Sequence, residues 1–394
     1  MSREPRALRN CAYVAVVIAF AAAPLCAQSV DRPVVPPDRE YRAIVASEGR
    51  DELAFIRFGP TGVKVDRTRT IGLNPLEPDG PHGVAVSPDN RTYYVSTAHG
   101  NPLGSLWKFD ARADTLIARI ELGSFPATAQ VSPDGYYVFV ANFNLHGEMA
   151  PSSVSIVSTD PFVEVARLTT CTMPHGSRFS PDGSKHYSAC MMDDMLVEID
   201  LRTMKVSRHF MLEKGKEHGS NGPPMSHAAA MRDDHGGHGM TAPSAGNTKC
   251  SATWAQPSAD GNSVFVACNA ANDIAEIDVR SWNLKRRIPA GDGVYNLGVT
   301  RDGSLLVATN KRGRSVSLID IPTGRELAKI ATARRVVHGV AITPDDRYAF
   351  ISVEGVGSEP GTVEIIDLRA RTRVASIDVG QMAGGIDIIG TVAR

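Results

Sequence analysis

Histidine, methionine and cysteine are unevenly spread along these 394 residues. Between Cys171 and Cys250 lie nine of the 12 methionines and seven of the 11 histidines. The densest part, residues 213–249, carries His218, Met225, His227, Met231, His235, His238 and Met240, spaced largely by Gly, Ala and Ser. Thioether sulfur favours Cu(I), whereas imidazole accepts Cu(II) or Zn(II), so the mixture predicts a soft transition-metal site, with copper first and zinc second. Small spacers let such a segment wrap an ion. The competing reading is a solvated loop without a ligand.

A second set of histidines has a different signature. His82, His175 and His338 are each followed by Gly, and each stands seven residues before the Asp of a tight turn. These turns are Ser87-Pro88-Asp89-Asn90, Ser132-Pro133-Asp134-Gly135, Ser180-Pro181-Asp182-Gly183, Ser258-Ala259-Asp260-Gly261, Thr300-Arg301-Asp302-Gly303 and Thr343-Pro344-Asp345-Asp346. The turn aspartates are spaced 45, 48, 78, 42 and 43 residues apart. That is one period near 43 to 45 with a single insertion of about 35 residues, in the range of a propeller blade.

Each turn is followed by a β-rich run such as Tyr137-Val138-Phe139-Val140, and a third strand ends in Ile-Asp or an equivalent, as at Ile319-Asp320. A fourth alternates, as in Val374-Ala375-Ser376-Ile377. Pro-Asp-Gly supplies the turn and the β-branched residues supply half-buried faces, so each unit is a four-stranded antiparallel sheet. Residues 41–73 provide three outer strands without an innermost one, and residues 384–389 near the C-terminus provide an innermost strand without outer ones. Pairing the two completes a seventh blade and leaves no open sheet edge. The prediction is an all-β, seven-bladed β-propeller spanning residues 41–394, closed by its N- and C-terminal strands.

Val140-Ala141-Asn142, Val266-Ala267-Cys268 and Ala308-Thr309-Asn310, placed after these turns, resemble the Tyr-Val-Thr-Asn (YVTN) repeat of bacterial seven-bladed propellers. The resemblance covers nearly all of the chain from residue 41. It implies a ring with loops on two faces, and it is compatible with surface-layer proteins, lactonases, quinoprotein subunits and copper-enzyme domains alike. The residues seven before the turn aspartates, His82, Ala127, His175, Thr253, Tyr295 and His338, should crowd the mouth of the central channel. His99 and His146, between second and third strands, open on the same face. The nitrous oxide reductase family holds copper with channel-mouth histidines of a seven-bladed propeller, and this set is similar in kind but smaller.

Cys190 and Cys268 each stand eight residues after their turn Asp, while Cys171 and Cys250 stand 11 and 10 residues before it. Disulfides joining Cys171 to Cys190 and Cys250 to Cys268 are sterically natural; the alternative is that these thiolates join the adjacent Met and His as ligands of a soft metal. The compartment allows the first. Arg3, Arg6 and Arg9 precede an uncharged run from Ala12 to Ala23, and Leu25-Cys26-Ala27 is a small-residue cleavage site. This reads as a signal peptide over residues 1–27, followed by a linker over 28–40, with a periplasmic or secreted product that keeps no stable membrane span.

Lys and Arg number 42 against 43 Asp and Glu, so no global field favours nucleic acid. No phosphate loop, nucleophile elbow, zincin helix or haem motif is present. The leading expectation is a metal ion on the top face, with redox activity on a small substrate as the chemistry such a site supports. The alternatives are a metal-free scaffold docking a protein partner on that face, and a lactonase-like hydrolase using Glu354, Arg334 and Arg335.

Overall fold

The computed structural model describes residues 34–73, 78–99, 103–224 and 248–392. The signal-peptide reading and the ligand expectations for Met225, His227, Met231, His235, His238 and Met240 lie outside the described residues.

The turn chemistry accounts for the repeat. Ser87 Oγ donates to Asp89 Oδ1 at 2.6 Å, and that carboxylate accepts the Arg91 N–H at 3.0 Å; Thr300, Asp302 and Ser304 repeat the pattern. The fourth turn residue has positive φ in all six cases: Asn90, Gly135, Gly183, Gly261, Gly303 and Asp346. Gly, Asn or Asp stands there because only these residues take that conformation at low cost.

The strands assemble into five four-stranded antiparallel sheets and one nine-stranded sheet. The larger sheet is two blades joined by a single parallel bridge, Gly176 to Trp254, so the ring has seven blades. Blade one is the split one. Its outer strands are Glu40–Ser47, Glu52–Gly59 and Gly62–Thr70, and its innermost strand is Ala383–Val392, paired from Tyr41 with Thr391 to Ser47 with Ala383. The expected closure is therefore present and extends a few residues beyond 384–389. Tyr41 seals the seam, donating its hydroxyl to Asp345 at 2.6 Å and packing edge-on to Tyr348.

Each of the seven blade-to-blade interfaces has its own buried apolar cluster, such as Tyr41, Phe58, Tyr348 and Phe350 between blades seven and one. Stability is thus distributed around the ring rather than held in one core. Blade four departs from the plan. Within the insertion, His218–Asn221 forms a fifth strand on the outermost strand Lys205–Met211, where the sequence reading had only a loop. Two contacts explain it: Glu217 pairs with Arg287 at 2.8 Å, and Gly219 lies so close to Trp282 that a side chain there would collide with the indole.

One irregularity recurs in every innermost strand and positions the site. The pairing slips between Pro81 and Val84, Pro126 and Thr128, Pro174 and Ser177, Ala252 and Trp254, Val294 and Leu297, Val337 and Val340, and, in blade one, Ala383 and Ile386. Such a bulge frees one residue from the ladder and re-aims its side chain. The freed positions are those seven residues before the turn Asp, and in blade one the equivalent is Gly384.

Candidate functional site

The bulges bring His82, His175 and His338 together, although they come from blades two, four and seven. The ring centroids of His82 and His338 are 5.5 Å apart, and those of His82 and His175 are 6.1 Å apart. Tyr295 from blade six completes the group, 4.9 Å from His338 and 5.3 Å from His175. Blade one contributes no side chain here. A Cβ on Gly384 would stand 3.4 Å from His82 Nδ1 and 3.8 Å from His338 Cε1, so the glycine leaves the gap across which those two imidazoles face each other. Hydroxyls on second strands hold the spacing: Ser96 Oγ accepts from Gly83 N–H and donates to the Ala127 carbonyl, and Thr309 Oγ1 donates to the His338 carbonyl.

The three imidazoles differ in their hydrogen bonding. His175 is satisfied at both nitrogens, with Nδ1 3.0 Å from the Thr253 carbonyl and Nε2 3.0 Å from the Tyr295 hydroxyl. Nδ1 is therefore the donor, leaving Nε2 to accept. His82 Nδ1 is buried without a hydrogen bond; Glu48 Oε2, at 3.5 Å, is its nearest charged neighbour. His338 differs, because the Gly384 backbone lies close enough to act as a hydrogen-bond acceptor that partly offsets its desolvation. Burial lowers the proton affinity of all three, that of His175 to about 3, so they are neutral lone-pair donors at physiological pH.

Charges gather just outside this group. Lys311 lies 4.3 Å over the Tyr295 ring and 3.3 Å from Glu354, whose carboxylate is 3.7 Å from His338 Nε2. Glu48 meets His99 Nε2 at 2.5 Å, and that hydrogen bond raises the His99 pKa. His146 Nε2 stands 3.4 Å from His99 Nδ1. His82, His99 and His146 all pack on Phe125, which belongs to an apolar cluster with Phe143 and Met173, with Met191 and Met192 against it. Five expected histidines therefore share one mouth, with three thioethers from blade four beside them.

The remaining expected residues lie elsewhere. His218 is exposed, with Nδ1 2.9 Å from the Lys216 carbonyl, on a fifth strand about 19 Å from the innermost one at the usual strand spacing. The four cysteines are committed as two disulfides, Cys171–Cys190 and Cys250–Cys268, with Cα separations of 5.9 and 4.4 Å. The thiolate-ligand alternative is thereby displaced: Cys171, near the end of the outermost strand Phe162–Thr172 of blade three, is tied to the second strand of blade four, and Cys250, in the incoming loop, to the second strand of blade five. Of the hydrolase set, Arg334 is drawn to Asp378 at 3.3 Å on the outermost strand of blade seven, and only Glu354 reaches the mouth.

Glu48, Lys311 and the role of Tyr295 were missed. Glu48, Lys311 and Glu354 stand at the junction of second and third strands, the same location that singled out His99 and His146, so the rule needed only to be applied to blades one, six and seven. Among the described residues, no group of three or more His, Cys, Asp or Glu is pre-arranged to hold a metal ion. Nor is any helix among them long and apolar enough to cross a membrane.

The fold has solved counterparts. Hydrazine synthase from Kuenenia stuttgartiensis superimposes with a TM-score of 0.58 at 20% identity, over 77% of this chain and 88% of that one. A protein of unknown function from Desulfotomaculum acetoxidans superimposes with a TM-score of 0.63 at 14% identity, over 88% of this chain and 98% of that one. Identities this low establish the β-propeller architecture and nothing of the chemistry. No protein family and no curated protein matches the sequence.

Proposed function

We propose that this protein is an exported propeller of the YVTN-repeat type that binds one soft transition-metal ion, copper in preference to zinc, at its channel mouth. One observation carries the reading: the buried imidazoles of His82 and His338 face each other across Gly384 with their rings 5.5 Å apart, and His82 Nδ1 makes no hydrogen bond. A buried polar atom left unpaired costs about 1–3 kcal/mol, and a metal ion is a partner that two neutral imidazoles can share. His175 Nε2 is a third donor once it gives up the Tyr295 hydroxyl, and Thr253 fixes that ring by holding Nδ1–H. Met173, Met191 and Met192 tilt the preference toward copper.

Glu48 and Glu354 supply negative charge that favours a cation, while Lys311 offsets part of it. Ligand assembly requires ring rotation, in keeping with the absence of a pre-arranged set among the described residues. The two disulfides are compatible with an oxidising, extracytoplasmic setting, and periplasmic or secreted placement is part of the proposal.

The test is elemental analysis of the full chain after copper loading and dialysis. One copper per chain is expected in the parent, with loss in His82→Leu/His338→Leu. A parent that retains none overturns the reading and leaves a metal-free interaction module; a double variant that retains it all overturns the mouth as the site and moves the copper elsewhere on the chain.

A further inference from the structure

The same innermost strands line a second concavity at the opposite end of the channel. Three residues beyond the bulge positions stand Gln130, Arg178, Gln256 and Asp387, and they border a cavity of about 200 Å³ with Arg301 and Asp346 at its rim. The bulge in each strand explains why positions three apart both face the lumen, since plain alternation would send them to opposite sides.

The hydrogen bonding inside this cavity is unbalanced. Asp387 is already committed, with Oδ2 accepting from Val86 N–H and Oδ1 from Ile388 N–H, each at 2.8 Å. Asp346 is committed in the same way, accepting from the N–H groups of Arg301 at 2.8 Å and Asp302 at 3.0 Å. Gln130, in the cavity lining, spends its carbonyl oxygen on Phe179 N–H at 2.7 Å, so its remaining polar capacity is its amide N–H groups. Arg178 is the opposite case. Its guanidinium lies 4.4 Å over the Trp254 ring and donates from Nη1 to the Ser177 carbonyl at 2.8 Å; Asp387 is near enough to favour its charged form, but no carboxylate among the described residues forms a direct ion pair with it. Gln256 spends its amide nitrogen on the Pro257 carbonyl at 3.2 Å and keeps its carbonyl oxygen as an acceptor, so the cation of Arg178 and the amide of Gln130 are the groups available to an anion, with both carboxylates occupied by backbone N–H groups.

We propose that this end of the channel binds a small oxyanion, a carboxylate or phosphate group gripped by the Arg178 guanidinium with the Gln130 amide alongside. A planar guanidinium suits a two-oxygen anion, and a partly enclosed lumen strengthens the contact. Burial lowers the Arg178 pKa only to about 10, so the cation persists at neutral pH. A cavity of about 200 Å³ limits the ligand to a small metabolite or the free ion. The site stands apart from the metal reading at the mouth and does not depend on it.

Trp254 reports on the site directly, because the guanidinium lies over its ring. The full chain is titrated with sodium acetate and, separately, sodium phosphate at constant ionic strength, followed by tryptophan fluorescence and by calorimetry. A saturable response to either anion is expected, and the preferred anion tells carboxylate from phosphate. Arg178→Gln should weaken binding by about tenfold to a hundredfold, the usual span for one charge-assisted contact. Trp254→Phe should lose the optical signal and keep the heat. If the glutamine variant does not fold, Arg178→Lys serves instead, keeping the charge but not the fork, and should bind several-fold more weakly. No saturable response in the parent, or unchanged binding in the Arg178 variants, overturns the proposal.

Discussion

The two ends of the channel are built from the same seven strands, only three residues apart in sequence, yet their electrostatics are opposite. At the mouth the lining is buried neutral imidazole, and Glu48 and Glu354 stand behind it. At the far end the carboxylates are tied to backbone N–H groups, and the Arg178 guanidinium forms no direct ion pair among the described residues. The mouth suits a cation and the far end an anion. A repeat scaffold fixes where side chains point, and individual substitutions in that fixed frame decide what each end attracts.

The largest effect should come from removing both ends at once. Deleting residues 383–394 takes the innermost strand of blade one, with Gly384 from the mouth and Asp387 from the far end, and opens the ring along a long edge. No cooperative thermal transition is expected by circular dichroism; a parent-like midpoint would show that the closing strand is dispensable.

Acid should separate the ends next. His175 and His186 are held neutral, their pKa values lowered by burial from 6.5 to about 3, and burial lowers those of His82 and His338 as well. The unfolded chain takes up these protons and the folded one does not, so stability is full above 6.5 and is lost as pH falls toward about 3. Each such group contributes a slope of about 1.4 kcal/mol per pH unit across that window. Denaturant midpoints measured from neutral pH downward should fall before the carboxylates begin to titrate. A flat profile down to their range would contradict neutral burial of the mouth.

The fold was legible in the sequence for a physical reason: Ser-Pro-Asp-Gly-like turns are local chemistry, repeated at a fixed period. Even the split blade could be read, because residues 41–73 lacked a partner that residues 384–389 supplied. The same period offered the disulfide pairing beside metal ligation, and the structure decides for the disulfides. The mouth histidines were legible as a set, but their differences were not: the gap between His82 and His338 is left by Gly384, whose lack of a side chain acquires meaning only once the bulges align seven strands. Arg178 escaped notice because a lone arginine in a strand carries no motif, and its lack of a direct ion pair follows from Asp387 and Asp346 being hydrogen-bonded to backbone groups.

A smaller effect confined to the mouth should follow from opening the disulfides. They close loops with sequence separations of 19 and 18, and replacing either pair with serine should cost about 3 kcal/mol in denaturant unfolding. Anion binding at the far end should persist in the folded fraction. Recovery of four free thiols from denatured but unreduced protein would remove the bridges from the account.

The smallest change is a gain. His186 is fully buried between Phe139 and Phe179 with neither nitrogen hydrogen-bonded. His186→Leu removes two unsatisfied polar atoms and should stabilise the chain by about 1 kcal/mol while leaving both channel ends unchanged. A loss of stability would mean that the imidazole finds a partner.

The central claim is that the rigid mouth, rather than the His- and Met-rich insertion, holds the metal. A ring already ordered by seven blades gives up less conformational freedom on binding than a loop that must wrap an ion. The direct test is a competition titration of Cu(I) and Cu(II) against a chelator of known affinity, comparing the parent with a chain lacking residues 225–247. The account predicts an unchanged tight site in the deletion, with loss only of weaker additional binding. Disappearance of the tight site in the deletion, with survival in His82→Leu/His338→Leu, would contradict it and assign the metal to the insertion.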